Sequence, residues 1–347
     1  MWTEVLEILQ RHSRFIITTH SNPDLDALGS ELALDEHLRA TGKEVYILNS
    51  DPVARPHRFV DPRRRIRVYQ PRHHDRLIEQ AEVLIVLDAS GGWNRLGRIG
   101  EILARMCPYS LRIDHHPDPQ RFTDMEVVDN SAAATAELIF DLVRAAGGKI
   151  TRSMARALYV AILTDTGSFR YPKTSPRTHR ITAELIELGA DSAELAKLAY
   201  NQYSLGLLRL QGHMLDIMQS AAGGRLVWSV LDQDTLRAYG VQESELDNFA
   251  SFGMQVAGVL VSVLCVETPD GRVKVSLRSD AAVPVNDLAA EWGGGGHASA
   301  AGATVVGPLH RVVEMVIARV EALLDAAAPG RAAPHPQHST FIPVARS

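Results

Sequence analysis

The chain has little cysteine, little lysine, no excess of positive charge and no long apolar run, and each shortage removes a class of protein. Two cysteines in 347 residues, Cys107 and Cys265, form no C-x-x-C pair. A disulfide framework and a thiolate zinc site are therefore not expected, and the usage fits a reducing compartment. The formal net charge is −5, so the basic footprint that coats long nucleic acid is missing, although a small phosphorylated ligand needs only a few local cations. Five of the 36 basic residues are Lys. Arg is the better bidentate phosphate partner, but genome composition produces the same bias and is the simpler reading. The longest apolar run, Val256 to Val266, falls short of the ~20 residues that span a bilayer. The amino terminus, MWTEVLEILQRHSR, reads as a short amphipathic helix and not as a signal peptide. The expected location is the cytoplasm, with no membrane partner.

What is present is 46% hydrophobic sequence over a length that suits two domains. Up to about residue 187, short apolar or β-branched runs (FIITTH, KEVYILNSD, VLIVLDAS, SLRIDHH) alternate with helical stretches such as ALGSELALDEHLRATG, which stops at Gly42. This alternation predicts an α/β domain, 1–187, on a parallel sheet covered on both faces. Residues 181–220 read as continuously helical with a break near Gly189, and 188–220 is expected to connect two domains. From Gly224, RLVWSVL, VAGVLVSVLCVE and RVKVSLRS read as strands, the last two joined by a turn at Pro269 to Gly271. DTLRAYG, NDLAAEWG (with Asn286 as its cap) and RVVEMVIARVEALLDAA read as helices. A smaller mixed-sheet α/β domain, 221–325, is expected, followed by a disordered Ala/Pro-rich tail, 326–347.

Parallel sheets bind ligands beyond the carboxyl ends of their strands, and four acidic or imidazole groups fall there. They are His20-Asp24-Asp26 in IITTHSNPDLDALGS, Asp88 after VLIVL, Asp114-His115-His116 after LRI, and Asp165 where an apolar helix meets a Thr/Gly-rich turn. Any one alone is more often a turn residue or helix cap; His73-His74 is expected to be a solvated loop. Their convergence is what points to metal, because unpaired carboxylates crowded at one edge repel one another and a divalent cation removes that cost. Carboxylates with few imidazoles and no thiolate favour Mn²⁺ or Mg²⁺, with Co²⁺ allowed. So many anionic ligands suit two ions ~3.5–4 Å apart sharing a carboxylate, the arrangement used for in-line attack at phosphorus. In the second domain, consecutive glycines (Gly294, Gly295, Gly296) beside His297, with Arg278 at the end of a strand, form a candidate phosphate or base cradle. Arg170 in GSFRYP is a further phosphate candidate, whereas Ser131 and Thr135 read as helix-start residues.

His20-x-x-x-Asp24-x-Asp26, Asp88, Asp114-His115-His116 and Asp165 resemble the four motifs of the DHH phosphoesterase superfamily in order and spacing. GGGGHASAAG (Gly293 to Gly302) resembles the glycine-rich signature of the DHH-associated domain, and TDTGSFRYPKTSPRTH is similar to the nanoRNase and pAp phosphatase (NrnA-like) members. The resemblance covers about residues 10–325. It implies His20 and Asp24 on one metal and Asp26, His115 and Asp165 on the other, with Asp88 bridging. It also implies His116 facing the substrate phosphate and Asp114 orienting the imidazoles. Leu25 stands where the family commonly has glycine, and the glycine run has four residues where three are usual.

The function so implied is two-metal hydrolysis of short oligoribonucleotides to mononucleotides and of the 3′-phosphate of pAp, with the far end of the substrate on Arg278, His297 and the glycine run. The alternative is a phosphodiesterase of cyclic or linear dinucleotides, whose family members share every motif found here. A non-catalytic nucleotide-binding regulator predicts decayed metal ligands, and none is missing. Short substrates, not long nucleic acid, are the expected partners, and a homodimer is the family-based expectation.

Overall fold

The computed structural model describes residues 2–106, 109–117, 121–246, 249–280 and 282–327, with His297 described in its backbone alone. The chain divides into two compact units between Gln202 and Tyr203. In the first, α1 (Thr3–Arg11), β1 (Arg14–Thr18), α2 (Leu25–Ala40), β2 (Glu44–Asn49), β3 (Ile66–Val68), α3 (Pro71–Gln80) and β4 (Val83–Leu87) are followed by α4 (Gly100–Met106), β5 (Ser110–Asp114), β6 (Met125–Val128), α5 (Thr135–Ala145), α6 (Arg152–Asp165), α7 (Pro176–Glu187) and α8 (Ser192–Tyr200). The second contains α9 (Leu205–Asp216), β7 (Gln219–Ala221), β8 (Leu226–Leu231), α10 (Gln233–Tyr239), β9 (Val261–Glu267), β10 (Val273–Ser279), α11 (Asn286–Glu291), β11 (Gly295–His297), β12 (Ala300–Val305) and α12 (Leu309–Ala326).

The first sheet is parallel throughout, in the order β3-β2-β1-β4-β5-β6. Its central strands are apolar on both faces because helices cover both: Phe15 and Ile17 pack with α2, α5 and α6, and Ile16, Leu84 and Val86 with α3 and α4. The strand order reverses between β1 and β4, so the crevice beyond their carboxyl ends is the topological switch point, where such sheets bind ligands. The second sheet is mixed, ordered β11-β12-β10-β9-β8-β7 with only β8 and β9 parallel. β9 is buried on both faces, between α12 (Val312, Val316, Val320) on one side and α9 and α10 (Leu210, Met214, Leu236) on the other. β10 alternates buried and half-buried, as RVKVSLRS predicts for a strand with one face covered.

Four local readings differ. The stretch 181–220 is not one broken helix. α7 ends before Gly189 (φ 100), and α8 and α9 restart on their own caps, Asp191 and Ser204, which accept the N–H groups of Glu194 and Leu207. Helical periodicity runs through such restarts, so only the caps reveal them. The division of the chain falls inside the segment expected to connect the domains. His73 and His74 lie on α3 rather than in a loop, and His74 is buried with Nδ1 accepting the N–H of Gln70 at 2.9 Å. Asn286 does not cap α11: it is the first helical residue and its amide donates to Asp287. The expected strands include neither β3 and β6, short strands on the two edges of the first sheet, nor β7, β11 and β12 in the second, where small Ala, Gly and Ser residues carry no apolar period. Of the expected tail 326–347, Ala326 closes α12 and the residues beyond Ala327 lie outside the described residues, as does Cys107; Cys265 is a free, buried thiol.

Candidate metal centre

β1 delivers Thr18 to the switch point, and the bend SNPD then returns the chain to start α2. Asp24 is the N-cap: its Oδ1 accepts the N–H groups of Asp26 and Ala27 at 3.0 and 3.1 Å. Asp26, one residue into the helix, is buried and points inward. Its carboxylate accepts the N–H groups of Thr135 and Ala136 at 2.7 and 3.0 Å, capping α5, whose own N-cap Ala134 offers no side chain. Asp88, past the end of β4, adopts a left-handed backbone (φ 53), a conformation an Asp holds at a cost and one that clusters at functional sites. Asp165 ends α6, and three left-handed residues, Gly167, Ser168 and Phe169, turn the chain away behind it.

These side chains converge. His20 Nε2 lies 3.8 Å from Asp88 Oδ2. His115 Nε2 lies 3.3 Å from Asp165 Oδ2, 3.6 Å from Asp88 Oδ1 and 3.9 Å from Asp26 Oδ2. Ligand atoms of His20, Asp24 and Asp88 fall within 4.8 Å of one another, as do those of Asp26, His115 and Asp165, and those of Asp88, His115 and His116. Asp88 stands in the first and third groups. His116 is otherwise engaged, because its Nδ1 is bonded to Asp114 Oδ1 at 2.8 Å, with its backbone N–H on the same oxygen.

The electrostatics show what such a cluster is suited to hold. Burial and then the neighbouring carboxylates push Asp26, Asp88 and Asp165 well above the ordinary carboxylate range. Burial lowers His115 to about 3, so its ring is neutral. With Nδ1 against the carbonyl of Ala132 at 3.2 Å, its buried Nε2 keeps a lone pair with no hydrogen-bond partner. Burial opposes the charge on His116, but the bond to Asp114 prevails and raises it; the same bond outweighs burial at Asp114 and lowers it. A neutral imidazole lone pair facing mutually repelling carboxylates fits a divalent cation.

Several supporting residues escape a sequence reading. Thr135, read only as a helix start, is the first residue of α5, and its Oγ1 donates to Asp88 Oδ1 at 2.9 Å. Arg112, inside β5 and fully buried, reaches Glu126 Oε2 at 3.0 Å, the carbonyl of Ala89 at 3.5 Å and Asp114 Oδ2 at 3.9 Å. It thereby ties the segment after β4 to the carboxyl end of β5 and to β6. Lys173 donates to the carbonyl of His115 at 3.2 Å. Arg170 follows the turn behind Asp165, where its Nε donates to the carbonyl of Gly167 at 2.6 Å.

In the second unit Arg278 and His297 both stand in register with Ala300, on the two strands flanking β12. The glycine run builds the edge strand β11. A Cβ at Gly294 would meet the carbonyl of Gly302 at 2.1 Å, and one at Gly296 (φ 139) the carbonyl of Ala300 at 2.5 Å, whereas Gly295 faces open space. Two of the glycines thus have a packing reason as well.

A doubly wound sheet with this carboxylate–imidazole cluster at its switch point defines a class: hydrolases that use divalent metal to act on phosphorus. Known proteins narrow it. The model of the DHH family, N-terminal domain, matches residues 14–162, and that of the DHHA1 domain matches 225–326. The chain is 36% identical over 308 residues to the "Bifunctional oligoribonuclease and PAP phosphatase NrnA" of Thermus thermophilus, covering 88% of each. It is 29% identical over 309 residues to the Bacillus subtilis protein of that name, covering 88% of this chain and 93% of the other. An exopolyphosphatase-related protein from Bacteroides fragilis has a similar structure (TM-score 0.86, 27% identity, 93% of this chain and 96% of that one). RecJ from Thermus thermophilus in complex with Mn²⁺ shares the fold (TM-score 0.55, 16% identity, 94% of this chain and 55% of that one). The chain belongs to the DHH family of phosphoesterases and is a hydrolytic enzyme acting on phosphoesters. Enzymes of this family depend on divalent metal. Among the described residues no helix is long and apolar enough to cross a membrane.

Proposed function

We propose that the chain degrades short oligoribonucleotides to mononucleotides and removes the 3′-phosphate of pAp, with two divalent cations, Mn²⁺ foremost. The observation that carries this reading is likeness over both units at once. A relative named for both activities is 36% identical across 88% of each chain, and the cluster around Asp88 has ligand groups that could hold the metal such chemistry uses.

His20 and Asp24 would hold one cation, Asp26, His115 and Asp165 the other, and Asp88 would be shared. Cations held by these residues would lower the pKa of a bound water and offset charge on the phosphate. The protein's own groups do the rest. Thr135 and the N–H groups at the start of α5 fix Asp88 and Asp26 in place before substrate arrives. His116, whose affinity for a proton the bond to Asp114 raises, would donate to a non-bridging oxygen as negative charge builds there. Arg278 and the glycine strand, with His297, hold the remainder of a short substrate, and Arg170 is a secondary phosphate contact.

The test is kcat/KM for a diribonucleotide, pAp and cyclic di-AMP under one Mn²⁺ condition. The expected result is turnover of the first two, each exceeding cyclic di-AMP by at least about tenfold, or ~1.4 kcal/mol of transition-state preference. Preference for cyclic di-AMP would overturn the substrate assignment while leaving the hydrolase intact.

A further inference from the structure

The arginines of this acidic chain are not evenly spread. Residues 55–76 carry eight of them against two acidic residues, Asp61 and Asp75, in a chain of net charge −5. Four of the eight, Arg63, Arg64, Arg65 and Arg67, join Arg39 and Tyr46 around one hollow of about 270 Å³.

This hollow is far from the catalytic edge. α2 starts at the metal cluster and runs 16 residues to Ala40. At ~1.5 Å per residue, Arg39 sits about 22 Å along the helix from Asp24. Arg63, Arg64 and Arg65 precede β3, which runs parallel to β2, so they lie at the amino-terminal edge of the sheet.

The hollow is also built rather than a chance meeting of solvated side chains. The fully buried Asp35 takes Arg39 Nε at 2.6 Å and Arg65 Nη1 at 2.7 Å, so two guanidiniums are held in place. Arg39 additionally donates to the carbonyl of Val45. The turn that presents Arg63 and Arg64 is pinned by buried Asp61, which accepts the N–H groups of Arg65 and Ile66, each at 2.9 Å. Arg67 lies over the ring of Tyr46, 5.8 Å from its centroid. Among the described residues Arg63 and Arg64 are exposed and have no ion-pair partner. The carboxylates near these five guanidiniums are the buried Asp35 and Asp61, the latter engaged by backbone N–H groups, with Glu36 beside Arg63 and Arg65, and, on the rim, Glu44, which accepts the hydroxyl of Tyr46 at 2.8 Å. An excess of like charge held this way is relieved by a multivalent anion, and guanidinium forks match phosphate oxygens.

We propose that Arg39, Arg63, Arg64, Arg65 and Arg67 form a second anion site, separate from the metal centre, for a ligand carrying two or more neighbouring phosphates. Two sources share that chemistry: anhydride-linked phosphates, as in a nucleoside polyphosphate, and the diester-linked backbone of an oligonucleotide.

The test uses the full chain in EDTA, which keeps divalent cations from the catalytic edge, and measures the Kd of inorganic tripolyphosphate and of a phosphorothioate pentaribonucleotide. Wild type is compared with Arg63→Glu/Arg64→Glu, whose side chains are exposed and unpaired, and with the milder Arg63→Ala/Arg64→Ala. Loss of two charge-assisted contacts is expected to weaken binding by at least about tenfold in the Glu pair, less in the Ala pair. The salt dependence should be shallower in both. Whichever probe binds more tightly and shows that ordered loss identifies the source of the phosphates. Binding of neither probe, or equal binding by wild type and both variants, overturns the site.

Discussion

At the residue scale, the metal cluster was legible because strong ligand types recur at the ends of apolar runs, and apolar runs are what sequence shows best. Their supports were not, because Thr135 sends a hydroxyl to Asp88 that no spacing announces. Thr135→Val keeps the shape and removes that donor, so Mn²⁺ affinity or kcat should fall ~10–100-fold, with a stability loss of no more than the ~1–3 kcal/mol of one buried hydrogen bond; titration calorimetry, steady-state rates and urea unfolding check it. Glu31 was equally hidden inside a helical pattern. It is fully buried, with one oxygen on Asn49 Nδ2 at 2.9 Å and the other without a partner. Burial, then Asp61 and Asp35, raise it from 4.5 to about 8 despite the Asn49 bond. The sign follows from which state keeps the proton. Below pH 4.5 both states are protonated and nothing is lost; between 4.5 and 8 the unfolded chain releases a proton that the folded chain retains, so stability declines as pH rises, by up to about 5 kcal/mol once above 8. Glu31→Gln should therefore be similar to wild type at pH 4.5 but more stable at pH 8.5 in urea unfolding. A constant difference between the two at both pH values would refute the assignment of that slope to Glu31.

At the scale of elements, alternation of strand and helix was enough to place β1, β2, β4 and β5 and the edge on which the ligands stand. β3 and β6 were missed because a three- or four-residue edge strand carries too few apolar positions to register a period. The packing of α2 on α6 is also invisible in sequence, yet it brings Asp26 and Asp165 to one place. It depends on Gly29: a Cβ there would lie 2.4 Å from the carbonyl oxygen of Ala157 and 3.0 Å from the Cβ of Ala161. Two effects of Gly29→Ala oppose each other. Helix propensity favours Ala by ~1 kcal/mol. The clash is with backbone, which cannot rotate away, and overpacking of this kind costs about 1–3 kcal/mol. The clash should prevail, because separating the helices also spreads the ligands at their ends. The expected outcome is a net loss of stability of up to about 2 kcal/mol together with weaker Mn²⁺ binding. Weaker folding with unaltered metal affinity would show that the contact does not set the geometry of the cluster.

At the scale of the whole molecule, reactive groups are unequally divided between the units. The candidate ligands all lie in the first, whereas Arg278 and the glycine strand lie in the second. Physical chemistry predicts different kinetic signatures for the two sets. A group that binds the unreacting part of a substrate equally well in the ground and transition states raises KM when removed and leaves kcat unchanged. A group that meets only the developing charge lowers kcat. Arg278, on the half-buried face of β10 and in register with Ala300, belongs to the first kind if it grips the far end of the substrate. Losing a charge-assisted contact to phosphate, ~1.5–3 kcal/mol, predicts that Arg278→Ala raises KM for a diribonucleotide by about 10–100-fold at near-constant kcat. The effect on pAp should be of similar size, since pAp too presents a phosphate remote from the one removed. Arg278→Lys should recover part of the loss, retaining the charge but not the fork. An unchanged KM in Arg278→Ala would remove the second unit's arginine from substrate binding and leave the choice of substrate to the first unit alone.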